Sequence, residues 1–310
     1  MGEETSPHLL LKEKMMDKKK NRKMRSLLQF AGFGFPALFV WMTVIIVPFI
    51  YGIWITFTDW NGLAMHINYV GLENYAAVFK DPTFVSSFLK TVVYALFTVL
   101  ASNIIGFALA LAVTSGIKGQ GLFRTGFFTP NIIGGIILGY IWNFIFSYVL
   151  TAFGKHFGIG WMSTSWLTHP TRALIALIIV SSWQMSGYLM VIYIAGLTNV
   201  PKELIEAARV DGATAWQTVR KVKVPLIRNT TAICIFLSIS RTFMSFDMNL
   251  SLTAGGPYKS TELIAYKIYQ TAFTSMEFGK GQAQAIVLFV IVAVISLLQV
   301  YFTKKGDEES

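Results

Sequence analysis

Ile205-Glu206-Ala207-Ala208-Arg209-Val210-Asp211-Gly212-Ala213, closed by Val222-Lys223-Val224-Pro225 ahead of an apolar run, is the stretch on which the reading of this chain turns. Its local chemistry predicts two short helices joined by a glycine turn. Pro201 suits the first turn of a helix, where its missing N–H costs nothing, and Glu203 and Glu206 lie where the positive helix end favours acids. Gly212 permits the turn, and Ala213 to Lys221 follows as a second helix with Trp216 and Val219 on one face. Such a pair either docks in a groove on a partner or lies on a membrane surface, and the residues alone leave both open.

Outward from this loop the chain is a membrane protein by composition. Apolar residues make up 54% and charged residues 14%, and apolar runs recur that reach the ~18–20 residues a helix needs to cross hydrocarbon. We expect an all-α integral membrane protein with six spans, at about 28–57, 86–115, 122–149, 172–197, 226–250 and 283–303. The first is too long, and too far behind a charged leader, to read as a cleavable signal. The organisation expected is a basic tail over 1–27, a six-helix domain over 28–303 with the loop at about 200–225, and a short tail over 304–310.

Most of the 26 basic residues sit in the leader, around Lys118 and Arg124, between Lys202 and Arg228, and at Lys304 and Lys305. Positive residues in short loops stay inside, so both termini and the Glu206 loop are expected in the cytoplasm of a bacterial cell, with the spans in its inner membrane. The net charge of +10 is then explained by inward loops and attraction to anionic lipid heads, not by nucleic acid. Cys234 stands alone, and His8, His66, His156 and His169 lack metal-ligand spacing. An ion-coupled transporter would need intramembrane carboxylates, of which the spans hold almost none. An intramembrane hydrolase would need a nucleophile beside an oriented base, and no such pair is present.

The ordered loop pattern, with Trp216 and Pro225 at their spacings, resembles the signature of permease subunits of bacterial ABC importers. Further phrases point to the carbohydrate, maltose-type branch: Val70-Gly71-Leu72-Glu73-Asn74-Tyr75, Asp81-Pro82-Thr83-Phe84, and Leu252-Thr253-Ala254-Gly255-Gly256-Pro257 followed by Ser260-Thr261. The resemblance extends over roughly residues 30 to 303. It implies a type I importer permease fold in which Glu206, Ala207, Ala208, Asp211, Gly212, Ala213, Trp216 and Pro225 build a coupling helix that docks on an ATPase subunit. It implies as partners a second, homologous permease subunit, two ATPase copies, an extracytoplasmic solute-binding protein, a sugar and membrane lipid. No Gly-x-x-x-x-Gly-Lys-Ser/Thr occurs, so ATP and magnesium belong to those ATPase subunits; the chain itself is expected to bind no cofactor and to catalyse nothing.

Two polar stripes bear on the cargo. Ser181, Gln184 and Tyr188 recur on one face of the fourth span, and Ser238, Arg241, Thr242 and Ser245 on one face of the fifth. A polar stripe in hydrocarbon marks an interior face, lining a cavity or bonding across a packed seam. The resemblance assigns sugar contacts to Gln184, Tyr188, Arg241, Thr242 and Ser245. Arg241 departs from what a neutral sugar requires and suits a carboxylate, so an acidic, uronate-bearing oligosaccharide is one expectation. An Arg tied to a neighbouring helix is its counterpart, and a glycerol phosphodiester is the alternative cargo. Pro130, followed by Gly134, Gly135 and Gly139, predicts a kink with close helix packing.

Overall fold

Hydrocarbon offers no water to a free backbone amide, so a chain this apolar must satisfy its hydrogen bonds within each segment. The computed structural model is accordingly helical, with one isolated bridge, Thr58–Tyr69, as the β feature among the described residues. It describes residues 15–19, 22, 24, 25, 29–63, 65–116 and 118–308, so much of the expected basic leader, including Leu9-Leu10-Leu11, lies outside the described residues.

The chain divides into two units at Ile55. The first carries α1 (Phe30–Ile55), a continuous helical run with π turns at Phe30–Gly34 and Met42–Ile46. The second carries α2 (Glu73–Lys80), α3 (Pro82–Thr114), α4 (Gln120–Ile132), α5 (Gly135–His156), α6 (Pro170–Thr198), α7 (Lys202–Val210), α8 (Ala215–Leu226), α9 (Arg228–Phe243), α10 (Asp247–Leu252), α11 (Ile264–Tyr269) and α12 (Phe278–Glu308). Five of these, α1, α3, α5, α6 and α12, are each long and apolar enough to span, and α8 with α9 makes a sixth candidate bent by 74°.

Two of the expected spans are broken. Residues 122–149 are not one helix: α4 ends at Ile132, Ile133 and Gly134 are extended, and α5 starts at Gly135. Pro130 removes a donor inside α4 and Gly134 gives the chain no reason to continue the helix. Residues 226–250 are likewise split. The helix α9 stops at Phe243 and α10 starts at Asp247. Sixteen residues rise only ~24 Å, short of the ~30 Å hydrocarbon core.

Glycines set how the pieces seat. A Cβ on Gly187 of α6 would come within 1.8 Å of the Phe127 carbonyl oxygen of α4, and one on Gly139 of α5 within 1.9 Å of Ser251 Oγ of α10. The two halves of the broken third span thus lie against different neighbours, α4 on α6 and α5 on α10. The long α3 and α6 pack along each other, and Ala110, Leu189, Met190 and Tyr193 form part of their buried core.

The three motif phrases outside the loop are structural fasteners. Asp81 caps α3, its side chain accepting from the Thr83 N–H at 2.9 Å. Partial burial opposes its ionisation, but the Thr83 hydrogen bonds and the Lys267 ammonium, 3.9 Å away, prevail and hold its pKa below the ordinary value. Asn74 donates to the Thr56 and Thr58 carbonyls. In the segment that follows α10, Asn249 donates to Thr261 O and accepts from the Leu263 N–H, while the Thr261 hydroxyl donates to Gly256 O.

Candidate translocation cavity and coupling loop

Both helix breaks open onto one cavity of about 380 Å³, within the size range of ligand sites. Its walls come from α3, the α4–α5 break, α6, α9 and the 244–246 turn, with Tyr94, Asn131, Gly134, Gln184, Arg241 and Asp247 among the lining. Irregular backbone at membrane depth is tolerated where it is buried in protein or lines a cavity, and that is where these two breaks lie.

Gln184 explains how the first break is held. Its Nε2 donates to the carbonyl of Pro130 at 3.3 Å and to that of Ile133 at 3.2 Å. The last carbonyls of a helix have no partner within it, so Gln184 caps α4 from the side. Arg241 reaches the same segment from α9, donating through Nη1 to Asn131 Oδ1 at 3.0 Å, while its Cζ lies 4.2 Å from the centroid of the Tyr188 ring. Among the described residues no carboxylate makes an ion pair with Arg241. Asp247, which lines the same cavity, makes none either.

The other expected residues divide. Ser245 lines the cavity and accepts from the Tyr94 hydroxyl at 3.2 Å. Thr242 is buried and donates back to the Ser238 and Ile239 carbonyls of its own helix. Ser238 belongs to a seam: Tyr193 donates to Asn103 Oδ1 at 2.9 Å, and Asn103 Nδ2 donates to Ser238 Oγ at 3.0 Å, tying α3, α6 and α9 together. Sequence reasoning passed over Tyr94, Asn131 and Asp247. A signal for Tyr94 was present, since Ser87, Thr91, Tyr94, Thr98 and Ser102 recur along one face of α3 and are all buried.

The loop of residues 206–213 folds as its chemistry predicts. After α7, the Gly212 N–H donates to Arg209 O and the Ala213 N–H to Ala208 O, with Gly212 at φ +80°. This is a Schellman ending, which needs a residue at ease in the left-handed region, and so accounts for Asp211-Gly212-Ala213. Thr214 then caps α8 in a reciprocal box with Gln217. Pro225 sits just before the 74° bend into α9, after a π turn over Val219–Lys223. Ile205 packs on the α3–α6 core. Facing outward are Glu206, Ala207, Val210 at 88% exposure and Trp216 at 69%. Val210 and Trp216 are thus two large apolar side chains in the open on either side of the Gly212 turn, and Val210 was not singled out from sequence.

Residues 102–306 match the family model described as "binding-protein-dependent transport system inner membrane component". The chain is 44% identical over 274 residues to a probable starch degradation products transport system permease protein, AmyD, of Thermoanaerobacterium thermosulfurigenes, covering 88% of this chain and 93% of that one. It is 32% identical to the multiple sugar-binding transport system permease protein MsmF of Streptococcus mutans, with 84% and 90% covered. Its fold is similar to a chain of a bacterial ABC transporter involved in import of the acidic polysaccharide alginate, at a TM-score of 0.77 and 18% identity, over 94% of this chain and 99% of that one. At that identity the likeness speaks to the fold alone. On sequence and fold together, the chain belongs to the inner-membrane components of binding-protein-dependent transport systems, as a multi-pass, non-catalytic permease subunit of the ABC class.

Proposed function

We propose that this chain is the transmembrane subunit of an ATP-driven importer of oligosaccharides. The observation that carries the proposal is the cavity at the two helix breaks, whose lining brings a guanidinium, a carboxylate, amides, hydroxyls and the aromatic residues Tyr94 and Phe246 to one small volume. A polyol is recognised by many donors and acceptors around an apolar face, and this lining supplies both. The AmyD and MsmF relatives support the same class.

In this reading a binding protein delivers cargo to a cavity completed by a second, similar permease subunit. Two ATPase subunits close around ATP and magnesium on the inner side. Glu206, Ala207, Ala208, Asp211, Gly212, Ala213, Trp216 and Pro225 transmit that closure: the exposed Trp216 is the anchor, Gly212 the rigid turn and Pro225 the bend into α9. The basic loops and both termini face the cytoplasm, in keeping with the Lys and Arg distribution. Arg241 and Ser245 meet the cargo, Tyr188 backs the Arg241 guanidinium with its ring, Gln184 holds the wall on which the cargo rests, and Thr242 supports that wall from within α9.

Charge decides the finer reading. Arg241 taken alone suits an acidic sugar, because it meets a neutral amide and a ring face and no carboxylate. Asp247 in the same cavity opposes that choice, since it repels a uronate or a phosphate and brings the formal charge of the lining to zero. A neutral, starch-type oligosaccharide is therefore the cargo favoured, and the AmyD relative agrees. Uptake by the assembled importer in proteoliposomes, with maltotriose or trigalacturonate as labelled cargo, tests both readings. The expected outcome is maltotriose uptake that Arg241→Gln reduces a few-fold, by loss of one or two hydrogen bonds to sugar hydroxyls. Uptake of trigalacturonate alone, abolished by the same substitution, would establish the acidic reading.

A further inference from the structure

A groove of about 640 Å³ runs along one face of α3 and shares no lining residue with the cavity at the helix breaks. Val85, Leu89 and Val93 recur at four-residue spacing to make its floor, and Phe79 of α2 and Leu174 of α6 close its sides. All of these except Leu174 are exposed. Two lysines line the groove as well, Lys80 at the end of α2 and Lys90 on α3, and no carboxylate does. Neither lysine makes an ion pair among the described residues, and Asp81, the acid next in sequence, is turned to Lys267 at 3.9 Å.

The lysines stand at a depth that suits a lipid head. With 33 residues α3 rises ~50 Å, whereas the hydrocarbon core is ~30 Å thick. Centred on the membrane, it extends ~10 Å into the headgroup layer at either end, and Lys90 lies ~12 Å along it from Pro82. Lys80 precedes the helix and falls within the headgroup layer. The Lys90 ammonium donates to the Lys259 carbonyl at 2.7 Å, which fixes it beside the groove and leaves two of its three donors unspent. Val93, about one turn further along, lies inside the hydrocarbon. Contact with acyl chains alone needs no cation, and a pair of solvated cations needs no groove. Together they describe an amphipathic anion, an apolar chain beneath a phosphate.

We propose that this groove is a site for one anionic phospholipid, with an acyl chain along Val85, Leu89 and Val93 and the phosphate between Lys80 and Lys90. Ser86, on the same face, offers a hydroxyl to the ester region. A zwitterionic lipid fits less well, because its own ammonium meets two others. Since α2, α3 and α6 all contribute to the groove, the bound lipid fastens the α2–α3 corner to the start of α6. The site is separate from the cargo cavity and does not depend on the oligosaccharide reading. Its rivals are a helix of the second permease subunit and lipid held by diffuse charge alone.

Each lysine near an anionic lipid is worth about five-fold in binding, so the pair should favour an anionic over a zwitterionic lipid by roughly 30-fold. The test titrates the delipidated importer complex in detergent with phosphatidylglycerol or with phosphatidylethanolamine of the same chains, each bound lipid being counted by native mass spectrometry. Lys80→Gln combined with Lys90→Gln should remove one tightly bound phosphatidylglycerol from the count, weakening that site roughly 30-fold. Leu89→Trp fills the groove and leaves both lysines in place, and it should remove the same lipid. Loss in the lysine variant alone would mean diffuse attraction and would overturn the site, as would a count unchanged in both variants. Loss of the second permease subunit from the Leu89→Trp complex would make the groove a subunit interface and overturn the lipid site as well.

Discussion

Replacing Gln184 with Met keeps the length of the side chain and removes both donors that hold the α4–α5 break. The Pro130 and Ile133 carbonyls would each lose an accepted bond of 3.2–3.3 Å. An unmet buried acceptor costs ~1–3 kcal/mol, and bonds this long argue for the lower end, so the pair is worth about 2 kcal/mol. In a chain of this size 1 kcal/mol moves the melting temperature by roughly 2–4 °C, which gives a drop of about 4–8 °C for Gln184→Met. Scanning fluorimetry of the purified complex in detergent reads this directly. Because the break also carries Asn131 to Arg241, transport should fall with stability. An unchanged melting temperature with weakened sugar binding would refute the reasoning, since Gln184 would then be spending its amide on cargo and not on backbone.

Trp216→Ala should leave the melting of the isolated subunit unchanged, because the side chain is exposed there, yet lower recovery of ATPase subunits in pull-down by tenfold or more. Gly187→Ala forces a methyl against the Phe127 carbonyl, and the overpacking should cost ~1–3 kcal/mol or displace α4, read as a lower melting temperature. Asp81 gives a pH signature. Its pKa is held below the ordinary value of 3.8, so its carboxylate stabilises the fold at pH above that value and the contribution fades as pH falls through the lower, folded-state value. Asp81→Ala should cost about 1 kcal/mol at neutral pH and make no difference in strong acid; an equal loss at both pH values would contradict the capping role.

The fold of the 206–217 loop was legible because its determinants are local. Gly212 is needed at a positive φ, Thr214 and Gln217 cap each other, and neither requirement depends on distant chain. Hydropathy found the segments that cross the membrane for the same reason, since each helix satisfies its own backbone. Their interruptions were harder. Pro130 and Gly134 suggested a kink, but a full break is stable only because Gln184, 51 to 54 residues away in sequence, caps the loose carbonyls.

The cavity shows the same divide. Polar periodicity marked α6 and α9, but the stripe on α3 was passed over, and with it Tyr94. Asp247 was passed over too, because only the stop of the helix at Phe243 turns the chain and brings it to the cavity that Arg241 lines. Periodicity says which face of a helix is polar; it does not say which faces meet. The apolar spans and the Gly212 turn follow from the sequence by itself, because hydrocarbon and backbone geometry act on a few residues at a time. The breaks, the neutral balance of the cavity and the partners of Arg241 were decided by tertiary structure, because they depend on close approach between helices far apart in the chain.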